Sequence, residues 1–188
     1  MKFIEDKVFK NENYLSSPLA KGEYDNCMFI NCSFSNADLS NINFTECSFT
    51  ECDLSNSNVK NTVFNIVSFS KSKLIGLNFN DCSKLLFSVI FNDCNLSFAS
   101  FYRQVAKHTK CSDSLLHQVD FTEADLSSSV FNNCDFKTAI FDNTILNKVN
   151  FRTSFNYEIN PEINSIKKAK FSMPQVLGLL KKYNIDVE

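Results

Sequence analysis

Between Tyr24 and Phe79 every fifth residue is large and nonpolar, and the series has no gap: Tyr24, Phe29, Phe34, Leu39, Phe44, Phe49, Leu54, Val59, Phe64, Phe69, Leu74, Phe79. Two positions before each of these sits a mostly small residue, among them Cys27, Cys32, Ala37, Cys47, Cys52, Ser57 and Thr62. The positions between are mainly Asn, Ser, Thr, Asp and Glu. A period of five fits neither a helix nor an ordinary strand, whose repeats are about 3.6 and 2 residues. It is an internal repeat. A helix would wind such an apolar stripe around its axis. A short strand with a turn at each end keeps one large and one small side chain inside every unit. Four units then close a square turn of about 20 residues, and successive turns stack at the strand spacing of about 4.8 Å. This predicts the ladders Phe29–Phe49–Phe69, Tyr24–Phe44–Phe64 and Phe34–Leu54–Leu74.

Residues 1–21 keep the phase through Phe9, Tyr14 and Leu19 but have poor small-position partners, so they are expected to form an atypical capping turn. After Phe79 the phase slips by two, with the next large residue expected at Leu86 and a corner bulge at 80–85. The series then runs from Phe91 to Phe151, with weak large-position residues at Ala106 and Cys111. Residues 103–112 are therefore expected to form an irregular, basic turn. From Phe155 the repeat is expected to end, leaving a cap over 156–188. Ser172 and Gln175 form the pattern of a capping box, with Phe171 and Val176 spaced as a hydrophobic staple, predicting a short α-helix over about 173–183. A last short strand is expected at Ile185–Val187.

Ala37-Asp38-Leu39-Ser40-Asn41 and Ala124-Asp125-Leu126-Ser127-Ser128 match the consensus A-(D/N)-L-x-x of the pentapeptide-repeat family, which the chain resembles over most of its length. The resemblance implies an all-β fold, a right-handed quadrilateral β-helix. The tail from Gln175 to Ile185 and the lead-in from Asn156 to Asn164 are similar to those of the gyrase-interacting group. That similarity implies a homodimer formed through Val176, Leu177, Leu180 and Tyr183. It also implies a DNA mimic that binds DNA gyrase or topoisomerase IV, modulating it or protecting it from a poison. The group's quinolone-resistance members carry large loops. Only a two-residue bulge replaces them here, which points to the toxin-immunity or gyrase-modulating branch. The alternative is an interaction scaffold for an unrelated protein.

The chain has 3 Gly and 3 Pro, so Asn, Ser and Asp are expected to make the corners. Of the 8 Cys, all but Cys111 fall on the small inward position and read as core fillers rather than metal ligands or disulfides. No metal site, cofactor, nucleophile elbow or phosphate loop is expected, and a filled prism offers no catalytic cleft. Free thiols, with no signal peptide or bilayer-spanning apolar run, lead to the expectation of a cytoplasmic protein without membrane contact. The net charge of −2 gives no basic signal, so direct nucleic-acid binding is not expected. Asp38, Asp53, Asp120, Asp125 and Asp135 all stand just before a large residue and are expected to project from flat faces as a partner-binding acidic surface. In the second half that position is often apolar instead, as at Leu85, Ile90, Val105, Leu115, Val130, Ile140 and Ile145, a pattern of either an interface or strand propensity.

Overall fold

A computed structural model describes residues 2–187. The chain winds as a parallel β-solenoid with four faces. The first face is the sheet β1 (Lys2–Glu5), β3 (Gly22–Asp25), β5 (Asn43–Thr45) and β7 (Val63–Asn65). The second is a seven-stranded sheet of β2 (Val8–Lys10), β4 (Met28–Ile30), β6 (Ser48–Thr50), β8 (Val67–Ser70), β9 (Val89–Asn92), β10 (Lys110–Ser112) and β11 (Val130–Asn132). Every pairing is parallel, and Phe29 faces Phe49, Phe49 faces Phe69, and Tyr24 faces Phe44. The third and fourth faces are held by single parallel bridges, such as Ser33–Asp53–Lys73 and Ser100–Asp120–Ile140.

The expected ladders fill the interior. Phe29, Phe49, Phe69 and Phe91 stack face to face at 4.7, 5.1 and 5.5 Å between ring centroids. Neighbouring ladders meet edge to face, as Phe44 does with Phe49 at 78°. That arrangement satisfies the ring quadrupoles. Each fully buried Phe contributes about 1.5–3 kcal/mol of apolar burial. All eight cysteines are free and buried. The thiols of Cys27, Cys32, Cys47, Cys52, Cys94 and Cys134 point at backbone carbonyls one turn below; Cys47 Sγ, for example, lies 3.3 Å from Tyr24 O.

Most corners lie two residues after a large side chain and have positive φ, though not after Tyr14, Leu19, Phe79 or Phe151. Asn26, Asn31, Asn36, Asn41, Asn56 and Asn61 are there, as expected, but so are Ile66, Phe98, Arg103, Gln118 and Thr138. The corner N–H donates to a carbonyl of the next turn, as from Glu46 to Asn65 at 2.9 Å and from Phe98 to His117 at 2.8 Å. Stacking therefore holds side chains in a conformation they would not choose alone.

The structure departs from the sequence reading at five places. The two-residue slip itself stands as expected, with Phe69 opposite Phe91 across a register step of 22 between β8 and β9. Within this insertion Leu86 takes a positive φ and is exposed, and Phe87 enters the core instead. Residues 103–112 are not irregular. Gln104 is fully buried, its Nε2 donating to Phe79 O at 2.8 Å and its Oε1 accepting from the Val105 amide, so a polar side chain fills a small position by taking up backbone groups. The repeat does not end at Phe155. Bridges Ile145–Ser165 and Asn150–Lys170 carry it further, and Phe171 stacks on Phe151 at 5.6 Å instead of stapling a helix.

The tail forms no α-helix. Gln175–Leu179 and Lys181–Tyr183 are short 3-10 turns, and no strand forms at 185–187. Gly178 O, which an α-helix would use internally, accepts the Ile159 N–H at 3.2 Å. A side chain at Gly178 would collide with the Tyr157 carbonyl. The tail is thus shaped by docking on the solenoid end, and so short a helix has little stability of its own. The Ser172 hydroxyl bonds to Arg152 O and to the Gln175 side chain rather than capping a helix.

Candidate interaction surface

The five aspartates share one job before any other. Each Oδ1 accepts the backbone N–H two residues on: Asp38 from Ser40 (3.0 Å), Asp53 from Ser55 (2.9 Å), Asp120 from Thr122 (2.9 Å), Asp125 from Ser127 (3.0 Å) and Asp135 from Lys137 (3.1 Å). Asn58 and Asn95 make the same Asx turn, so a carbonyl oxygen suffices and the charge is left over.

That charge is not gathered on one face. Asp53 and Asp135 stand on the third face, Asp38 and Asp120 on the fourth, and Asp125 on the continuation of the first, bridged to Val105 and Ile145. The sequence carried this information: Asp38 and Asp53 are three units apart on a prism with four faces. Three of the five carboxylates are also paired. Lys21 reaches Asp38 at 2.9 Å, Lys107 reaches Asp125 at 3.1 Å, and His117 Nε2 lies 2.8 Å from Asp135. The Lys21 bond, helped by Ser40, draws the Asp38 carboxyl down to about 2. At Asp125 and Asp135 burial opposes the charge. It is outweighed by Ser127 and Lys107 at the first and by Asn156, His117 and the Lys137 amide at the second, so both lie below the ordinary range. Asp53 and Asp120 have no ion-pair partner among the described residues.

The apolar outward residues are similarly dispersed: Ile90 and Val130 on the second face, Leu115 on the third, Ile140 on the fourth, Val105 and Ile145 on the first. Leu85 lies in the insertion and is 74 % exposed.

At the C-terminal end, Val176 and Leu177 are half-buried and Leu179 packs against the core, whereas Leu180 and Tyr183 are exposed. Tyr183 is not free: its hydroxyl donates to Glu162 Oε1 at 2.8 Å, and Lys182 lies over its ring and pairs with Glu162. A groove of 690 Å³ separates the tail from the last turns, lined by Phe155, Tyr157, Pro174, Gln175 and Leu177 among others. Among the described residues no group of three or more His, Cys, Asp or Glu is placed to hold a metal ion, and no helix is long and apolar enough to cross a membrane.

A stack of square turns with a continuous apolar core rich in aromatic rings, Asx turns on the flats and left-handed corners defines a five-residue-repeat β-solenoid. Residues 23–85 match the family described as "Pentapeptide repeat region", and residues 120–154 match "Pentapeptide repeats (8 copies)". The chain belongs to the pentapeptide-repeat family, and its fold is the right-handed quadrilateral β-helix. Among solved structures it is similar to a trypsin-treated form of QnrB1, described as a plasmid-mediated fluoroquinolone resistance protein. The TM-score is 0.63 at 18 % identity, covering 100 % of both chains. Full-length QnrB1 gives 0.62 at 19 % identity, covering 98 % of this chain and 100 % of the other. A second trypsin-treated form gives 0.64 at 19 %, covering 96 % and 98 %. Among curated proteins no sequence match was found.

Proposed function

We propose that this protein acts by binding rather than by catalysis, and that its partner is a type II topoisomerase, DNA gyrase or topoisomerase IV. It modulates that enzyme or protects it from a poison. The observation that carries this reading is the end-to-end similarity to QnrB1, TM-score 0.63 over 100 % of both chains, in which turns and tail are matched together. A fluoroquinolone resistance protein of this shape is accounted for by contact with the drug's target. The unpaired carboxylates Asp53 and Asp120, on adjacent faces, are the ones available to stand in for phosphates; Asp38, Asp125 and Asp135 contribute less because each already has a partner. The exposed Leu180 and Tyr183 support self-association through the tail, and the buried free thiols support a reducing, cytoplasmic setting.

The test is a gyrase supercoiling assay with the protein titrated in, with and without a poison. Restored supercoiling or fewer cleavage complexes supports protection, and inhibition without poison supports modulation. No change well above the enzyme concentration removes the proposal for that enzyme. Sedimentation of the wild type and Leu180→Glu tests the dimer, which the variant is expected to dissociate. The second reading, a scaffold for another protein, is favoured by the spread of acids over three faces.

A further inference from the structure

Charge is segregated along the chain in a way the net value conceals. Residues 1–136 hold 11 Lys and Arg against 16 Asp and Glu, net −5, whereas 137–188 hold 8 against 5, net +3. The excess is concentrated on one edge of the last turns. Lys148 and Lys168 occupy successive left-handed corners, φ 61° and 59°, one turn apart, with Lys167 beside them. Lys148 N donates to Lys167 O at 2.9 Å, which locks the two turns in register. Arg152 and Lys170 stand on the adjoining second face, where Lys170 bridges Asn150. All five side chains are exposed, and among the described residues none forms an ion pair, unlike Lys21, Arg103, Lys107 and Lys182. The corner encloses a shallow cleft of 400 Å³ lined by Ser127, Ser128, Asn147, Lys148, Lys167 and Lys168, with hydroxyl and amide groups but no carboxylate.

We propose that this corner docks on the phosphate backbone of duplex DNA. Lys148 and Lys168 stand one turn, about 4.8 Å, apart on the corner, against a phosphate rise of about 3.4 Å along one strand. Flexible lysine stems absorb the difference. The second face beside the corner adds no opposing charge: the outward residues of β2, β4, β6, β8, β9, β10 and β11 include no Asp or Glu. No aromatic side chain lines the cleft, so unstacked bases have no platform and the duplex backbone is the better-matched form. The protein is then bipolar, with its acidic length turned to a protein partner and its basic end to nucleic acid.

Fluorescence anisotropy with a labelled 20-base-pair duplex, without any topoisomerase, tests this. The expected result is saturable binding at low salt that weakens with a log–log slope of about −4, for four or five phosphates neutralised. The double variant Lys148→Gln/Lys168→Gln should reduce the slope by about two and weaken binding at least tenfold. The double variant Lys60→Gln/Lys73→Gln should remain within twofold of wild type. Circular dichroism melts confirm that the variants fold. Absence of binding at low salt, equal losses in both double variants, preference for single strands, or binding to anionic vesicles but not to DNA would each overturn the proposal. Failure here leaves the topoisomerase reading untouched, since no enzyme is present.

Discussion

Lys107 spans one turn of the solenoid to place its Nζ 3.1 Å from Oδ2 of Asp125, while Oδ1 of the same carboxylate accepts the Ser127 amide at 3.0 Å. One side chain thus serves both a turn and an ion pair, and the two can be separated by substitution. Asp125→Asn keeps a carbonyl oxygen for the turn and loses only the pair, with an expected cost below about 1 kcal/mol. Asp125→Ala leaves the Ser127 amide unmet and should cost about 1–3 kcal/mol. Urea unfolding of the two variants measures the difference.

The same logic sets the acid behaviour of Asp38. Its carboxyl is held near 2 chiefly by the Lys21 bond, so folded Asp38 sheds its proton more readily than the unfolded chain does. Its stabilising contribution is complete above the ordinary carboxylate value of about 3.9 and fades as the pH falls towards 2. Side-chain carboxyl chemical shifts followed by NMR should show Asp38 titrating near 2 in the wild type and moving up in Lys21→Gln. Because the pair is exposed, added salt should narrow the gap.

Phe49 is sandwiched between Phe29 at 4.7 Å and Phe69 at 5.1 Å and is fully buried. Phe49→Ala should cost about 3–5 kcal/mol, because rigid stacked turns cannot collapse into the gap. Phe49→Leu, which retains most of the volume, should cost well under half of that. Thermal melts of both variants check the ratio.

Ile66 holds a left-handed corner with φ 56° and is 55 % exposed, so its branched side chain strains the backbone without filling the core. Ile66→Asn should stabilise the protein by about 1 kcal/mol, seen as a rise in Tm of about 2–4 °C. An unchanged or lower Tm would show that the corner is not strained.

Burial pushes the Cys47 and Cys52 thiols up to about 12, and Cys94 to about 11. The thiolate is the reactive species. A disulfide reagent at pH 8 should therefore label almost no thiol in the native protein and all 8 after denaturation. Rapid labelling of the native form would show that the stack opens locally.

The ladders were legible because inward and outward positions within a unit are set by neighbours in the chain. The free state of the cysteines followed from the same phase. The end of the repeat was misread at Phe155 because two units lack their large residue, at Asn156 and Pro161, before Ile166 and Phe171 resume it. Spacing by twenty from Leu146 and Phe151 would have found both. The tail was misread because its helix-like signals are local, whereas its backbone bonds go to Ile159.

From the sequence alone came the period, the aromatic core, the buried thiols and the family, all properties of a five-residue unit repeated. The tertiary structure decided that Phe87 and not Leu86 enters the core within the 22-residue step between β8 and β9, and that the tail docks through Ile159 and Gly178 instead of coiling into a helix. Counting units around the square turn already disperses the aspartates over three faces, and the stacked turns bring Lys148, Lys167 and Lys168 together at one cleft. The period locates residues about twenty apart above one another, but the reach of a side chain across turns, as from Lys107 to Asp125, and the docking of the tail are set only by the stacked structure.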